Sequence, residues 1–137
     1  INMSYKKALE AAGAEVLCYK QFGSYQGDWW AKVTYQNQTG WIHGWYGSCS
    51  ECDAFEAEFG YISHEHQDDD YYNPFWNDQG FIEDCDECQK LKQRFVEFGE
   101  NYLDNILTQE EAEQKASENL KWDYDAKEMV NFIVANK

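Results

Sequence analysis

The stretch "EVLCYKQFGSYQGDWWAKVTYQNQTGWIHGWYGS", residues 15–48, decides the fold. Three runs rich in aromatic and β-branched residues, 15–22, 29–36 and 40–47, are separated by "GSYQGD" and "NQTG". Runs of this kind bounded by Gly, Ser, Asn and Asp read as strands joined by tight turns. Gly23 and Gly27 supply unusual dihedrals in the first turn, and "NQTG" reads as a hairpin turn. In the middle run Trp29, Ala31, Val33 and Tyr35 alternate with Trp30, Lys32, Thr34 and Gln36, the period of a strand with two distinct faces. The segment therefore predicts a three-stranded antiparallel meander.

Helical patterns surround it. "SYKKALEAAGAE" (4–15) reads as a short helix capped by Ser4, with Ala8, Leu9, Ala11 and Ala12 on its apolar face and Gly13 at its end. "CDAFEAEFGY" reads as another, with Ala54, Phe55 and Phe59 inward. From about Glu83, Leu91, Phe95, Phe98, Tyr102 and Ile106 recur as the inward stripe of a long amphipathic helix. Thr108 and Glu111 form a capping box ahead of Ala112, Ala116 and Leu120. Asp125 is placed to cap a last helix with Met129, Val130, Ile133 and Val134 inward. Residues 62–80 form a loop too aromatic for a disordered tail. With no repeats and no linker, residues 1–137 read as one α+β domain of about three strands and four or five helices. Its parts are the helix and meander (1–48), an acidic Cys-containing middle (49–89) and a helical end (90–137).

Charge narrows the function classes. Twenty-six acids against eleven bases give a net charge of −15. From Val33 to Gln89 there is no Lys or Arg, and the same stretch holds thirteen acids, from Glu51, Asp53, Glu56 and Glu58 to Asp86 and Glu87. Such a surface repels nucleic acid, anionic lipid and nucleotides, and attracts basic proteins or hard cations. No run approaches the roughly 18 apolar residues of a membrane span, and no charged-then-apolar leader is seen. A soluble protein of the bacterial cytoplasm is expected.

Five cysteines are present, and four form two pairs, Cys49-x-x-Cys52 and Cys85-x-x-Cys88, with a spacer of 32 residues. Two CxxC knuckles can close a tetrahedral site, so a structural zinc cross-linking the two halves is expected on these four thiols. A redox dithiol at Cys49 and Cys52 is the rival; Glu51 and Asp53 flank the pair and disfavour a thiolate. Cys18 reads as a small core residue. "SHEHQDDD" opens a second metal reading, in which His64 and His66 join Asp68, Asp69 and Asp70 or replace a cysteine of the zinc site. His43 reads as a structural histidine.

Two resemblances add to this reading. "GDWWAKVTYQNQTGWIHGWYGS" resembles the last strands of bacterial SH3-like domains over about a quarter of the chain, which implies a module recognising a peptide or cell-wall fragment through Trp29, Trp30, Trp41 and Trp45. "FGSYQGDWW" followed by "GSCSECDAFEAEF" resembles a group of small bacteriophage proteins that carry Gly-Ser-Tyr-Gln-Gly-Asp and then Gly-Ser-Cys-Ser-x-Cys-Asp. It implies a phage or prophage origin and no particular activity.

Three function classes follow. The first is a phage-type interaction protein that binds and inhibits a basic, nucleic-acid-handling host protein, an anti-restriction or anti-CRISPR role, by presenting carboxylates where phosphates belong. Duplex DNA offers one charge about every 1.7 Å along its axis, which a wall of acids imitates locally. The expected face is Glu65, Asp68, Asp69, Asp70, Glu83, Asp84, Asp86 and Glu87, with Tyr71, Tyr72 and Trp76 between them, and no direct nucleic-acid or membrane binding. The second is the SH3-like module. The third is a redox or metal-dependent enzyme, for which no base and nucleophile are paired in the sequence.

Overall fold

Strand alternation puts bulky side chains on both faces of the meander, and the helices divide between those faces. The computed structural model of the chain describes residues 3–49, 51–60, 84–118, 120–121 and 123–137. Its elements are α1 (Ser4–Ala11), β1 (Glu15–Gly23), β2 (Gly27–Tyr35), β3 (Gln38–Tyr46), α2 (Ala54–Phe59), α3 (Asp86–Leu103), α4 (Gln109–Ser117) and α5 (Ala126–Ala135). The three strands form one antiparallel sheet in the order β1-β2-β3, so the architecture is α+β as expected.

One face of the sheet carries Trp29, Ala31, Val33 and Ile42 and is covered by α1, α2 and α3 through Tyr5, Leu9, Phe55, Phe59 and Phe95. The other carries Phe22, Trp30 and Trp41 and is covered by Ala112 and Ala116 of α4 and Met129 and Ile133 of α5. The result is a helix–sheet–helix sandwich. The adjacent indoles of Trp29 and Trp30 go to opposite cores, as a period of two requires.

Close backbone approach is permitted by glycine at two places. A Cβ at Gly44 would lie 2.3 Å from the Trp29 ring, so the indole of β2 rests on the bare backbone of β3. A Cβ at Gly99 would lie 2.0 Å from the Ala8 carbonyl, so α1 and α3 meet at a contact no side chain allows. The outer edge of β3 is sealed at Trp41, whose N–H and C=O both bond Leu107 at 2.8 Å.

A buried carboxylate ties three elements together. Asp53, 4 % exposed, accepts hydrogen bonds from the Tyr5 hydroxyl (2.6 Å), the Gly47 N–H (2.9 Å) and the Glu56 N–H (3.1 Å). It is the N-cap of α2, and it joins α1 to the end of β3. The Tyr5 hydroxyl in turn accepts from the Phe55 N–H at 3.2 Å. Asp53 is therefore a core residue and no part of an acidic wall.

Several sequence expectations are corrected. The β2–β3 turn is Gln36-Asn37, with φ of 49° and 65°, two residues earlier than the centre of "NQTG". Positive φ at both positions is the two-residue turn whose twist matches the flanking strands. Ser4 is the buried first residue of α1 rather than its cap, and no side chain caps that helix. Ala54 is exposed because α2 presents only Phe55 and Phe59 to the core. Ile106 lies beyond the end of α3, and Leu120 and Val134 are exposed. Asp125 stands at the N-cap of α5 without making a side-chain cap bond. The Thr108–Glu111 capping box forms in full.

Candidate functional site

The β2–β3 register builds a two-by-two grid on the face covered by α4 and α5. Asp28 pairs with Trp45 and Trp30 pairs with His43, and residues two apart on a strand share a face. The grid is internally bonded. His43 Nε2 lies 2.5 Å from Asp28 Oδ2, its ring tilts over Trp30 at 4.6 Å, and it meets Trp45 edge to face at 4.7 Å. The His43 side chain is 6 % exposed and Asp28 is 19 % exposed. Trp45, at the end of β3, is 62 % exposed, whereas Trp29, Trp30 and Trp41 are buried. His43 is thus only half satisfied: its Nδ1 is buried with no hydrogen-bond partner among the described residues.

Above the grid lies a cavity of about 180 Å³, lined by Asp28, Trp30, His43 and Trp45 below and by Ala116, Ala126 and Met129 above. Lys115, Glu118 and Asp123 complete its wall, so three carboxylates face one cation. The Lys115 ammonium sits 5.9 Å from the centre of the Trp45 ring. Asp125, next along the chain, has its carboxyl raised, first by desolvation and then by the charges of Asp123, Glu128 and Asp28. Trp45 also borders two neighbouring depressions, one shared with Glu51, Cys52 and Tyr102 and one with Gly27, Tyr46 and Cys52. Tyr124, fully exposed, adjoins Asp123 in the chain. Sequence reasoning missed Asp28, Glu118 and Asp123. The hairpin register was the signal that could have found Asp28.

The thiols fall into two separate places. Cys49 and Cys52 are exposed in the connection from β3 to α2, where the Cys49 N–H points to Cys52 Sγ at 3.1 Å and the Cys52 thiol donates to the Cys49 carbonyl at 3.2 Å. The Cys49 thiol is held below its ordinary value, first by its hydrogen bond with Cys52 and then by the backbone at Glu51. These local hydrogen bonds outweigh the opposing charge of Glu56, so the thiol is lowered where the sequence predicts that flanking carboxylates disfavour a thiolate. Cys85 is the N-cap of α3 and Cys88 is buried in its first turns. Cys52 shares a depression with Tyr102 at the far end of α3. Cys88 precedes Tyr102 by almost four helical turns, about 21 Å along the axis. Sulfurs on one zinc each lie only about 2.3 Å from it. The four thiols as placed do not meet, and among the described residues no three His, Cys, Asp or Glu side chains converge as metal ligands. Cys18 lies half-buried beside the second core, with its thiol raised by burial.

Of the expected acidic face, Asp84, Asp86 and Glu87 are exposed around the start of α3, where Asp86 and Glu87 also oppose the helix dipole. Glu87 pairs with Lys90 at 3.6 Å. Glu58 is engaged by Arg94 at 3.0 Å. Glu65, Asp68, Asp69, Asp70, Tyr71, Tyr72, Trp76, Glu83, His64 and His66 lie outside the described residues. Among the described residues no helix is long and apolar enough to cross a membrane. Comparison of the chain with protein-family models, curated proteins and solved structures found no match.

Proposed function

We propose that the protein is an acidic interaction protein of phage type that binds and inhibits a basic, nucleic-acid-handling protein of the bacterial cytoplasm. It acts by occupancy rather than catalysis, covering a surface meant for phosphate. The observation that carries this reading is the exposed Trp45 set among Asp28, Glu118 and Asp123 at an open cavity. A large exposed aromatic beside an excess of carboxylates, three against the one ammonium of Lys115, is the composition of an interface anchor facing a basic partner. The net charge of −15 supplies the long-range attraction. The peptide-platform alternative draws less support, since three of its four tryptophans are buried.

The test is capture from bacterial lysate on the tagged chain, at low and high salt, with and without excess DNA. A stoichiometric basic protein that DNA and salt both displace supports the reading, and retained proteins indifferent to both overturn it. The expectation of zinc on Cys49, Cys52, Cys85 and Cys88 is tested separately by metal content: one tightly held zinc per chain supports it and none overturns it.

A further inference from the structure

We propose that the cavity beside Trp45 binds a guanidinium group, the arginine side chain of a protein partner. In naming a protein as the bearer, this rests on the function proposed above; the preference for guanidinium rests on the cavity alone.

Three features of the cavity select the ligand. Its wall holds three carboxylates against one ammonium, so a cation is favoured over an anion or a neutral group. Asp28 is held in place by His43 Nε2, so one carboxylate of the wall is fixed beside the indole of Trp45. A ligand N–H that reaches this carboxylate makes a charge-assisted hydrogen bond. The Trp45 face is open, and it already attracts a cation, the Lys115 ammonium.

Guanidinium meets all three demands at once. It is planar and stacks on an indole, and its five N–H donors lie in one fork. One edge of the fork can serve Asp28 while the plane of the group lies on Trp45. A quaternary ammonium has no N–H to give. A primary ammonium is a compact, strongly hydrated charge that cannot stack. Lys115 then takes the part of an internal competitor, holding the indole until arginine displaces it.

The experiment is titration of the full chain with Nα-acetyl-arginine amide, followed through the indole N–H signals by NMR. The controls are the citrulline analogue, which keeps the shape without the charge, and the lysine analogue. The Trp45 signal should shift saturably with the arginine probe at about millimolar concentration, as befits one side chain in one pocket. The citrulline probe should leave it unmoved and the lysine probe should bind more weakly. Asp28→Asn should weaken the arginine probe about tenfold by removing a charge-assisted bond. Lys115→Met should tighten it about threefold by removing the competing cation. That gain is something loss of fold cannot imitate.

Equal shifts from arginine and citrulline, or arginine binding unchanged in both variants, overturn the inference. The two proposals fail separately. A chain that binds the arginine probe but captures no DNA-displaced basic protein keeps the pocket and loses the function. A chain that captures such a protein equally well with Asp28→Asn and Trp45→Ala keeps the function and loses the pocket.

Discussion

The two faces of the sheet are built from the same kind of residue and finished differently. Under α1, α2 and α3, Trp29 is enclosed by Tyr5 at 5.1 Å, Tyr19 at 5.8 Å and Tyr102 at 5.1 Å, and Phe55, Phe59, Phe95 and Phe98 continue the packing. Under α4 and α5, Trp30 and Trp41 are covered by alanines, Met129 and Ile133. Trp30 finds its hydrogen bond at the Met129 sulfur (3.4 Å) and Trp41 at Gln109 (2.8 Å). The cover of this second face ends before the sheet does. Its small residues reach Trp30 and stop short of Trp45, and the uncovered corner holds the cavity. Trp29, Trp30 and Trp41 are structure and Trp45 is surface, and the difference lies in how far the helices reach rather than in the strand.

The sharpest way to break the comparison is Trp29→Ala. Truncating an indole packed on every side, and on the bare backbone of Gly44, should cost about 3–5 kcal/mol. That is a large share of the 5–15 kcal/mol typical of a domain, so a denaturant titration should show a midpoint collapse or no folded baseline at all. Asp53→Ala comes next. It leaves the Tyr5 hydroxyl and two backbone N–H groups without their acceptor and should cost about 3 kcal/mol in the same titration. A change under about 0.5 kcal/mol would mean that the tie between α1, α2 and β3 contributes little.

Alkaline pH probes the enclosed face as a whole. Tyr5, Tyr19, Tyr46 and Tyr102 all pack in or against that core, and burial is the first cause of every upward shift there, with Tyr102 pushed up to about 12. Each group has a folded value above its unfolded value of about 10, so the contribution is intact below that pH and is lost as pH rises toward the folded values. Stability should be flat across neutral pH and should fall from about pH 10 upward, with phenolate absorbance lagging that of free tyrosine. Stability that stays flat over that range would place these hydroxyls in water.

Most of the enclosed face was legible before any coordinates. Period-two alternation in "WWAKVTY" assigns Trp29 and Trp30 to opposite sides, and the four- and three-residue spacing from Leu91 to Tyr102 marks the inner stripe of α3. What escaped was long-range pairing. Tyr5 looked like an ordinary helix residue because its partner, Asp53, is 48 residues away. The grid at the cavity escaped for a smaller reason. A turn centred on Gln38 and Thr39 keeps every side chain on its proper face but slides the partners, so Asp28 no longer stands beside Trp45. The Gln36-Asn37 turn needs positive φ at two residues other than glycine, a preference that Asn signals weakly and Gln hardly at all. Convergence of the four thiols was read from spacing alone, and spacing does not say where the fold places one knuckle relative to the other.

The smallest expected effect on stability is the most informative about function. Trp45→Ala removes an indole that is mostly in water, and surface substitutions away from caps and cores shift stability within about 0.5 kcal/mol. Its denaturation midpoint should coincide with that of the unaltered chain, while Trp29→Ala, the same chemical change one strand position from Asp28 and on the opposite face of the sheet, removes several kcal/mol. Paired with lysate capture, the variant separates the two roles an aromatic can play. A folded Trp45→Ala chain that no longer retains a basic, DNA-displaced partner makes this corner the anchor. One that retains it as before returns the binding face to the acids at the start of α3, Asp84, Asp86 and Glu87, where charge reversal would be the next substitution.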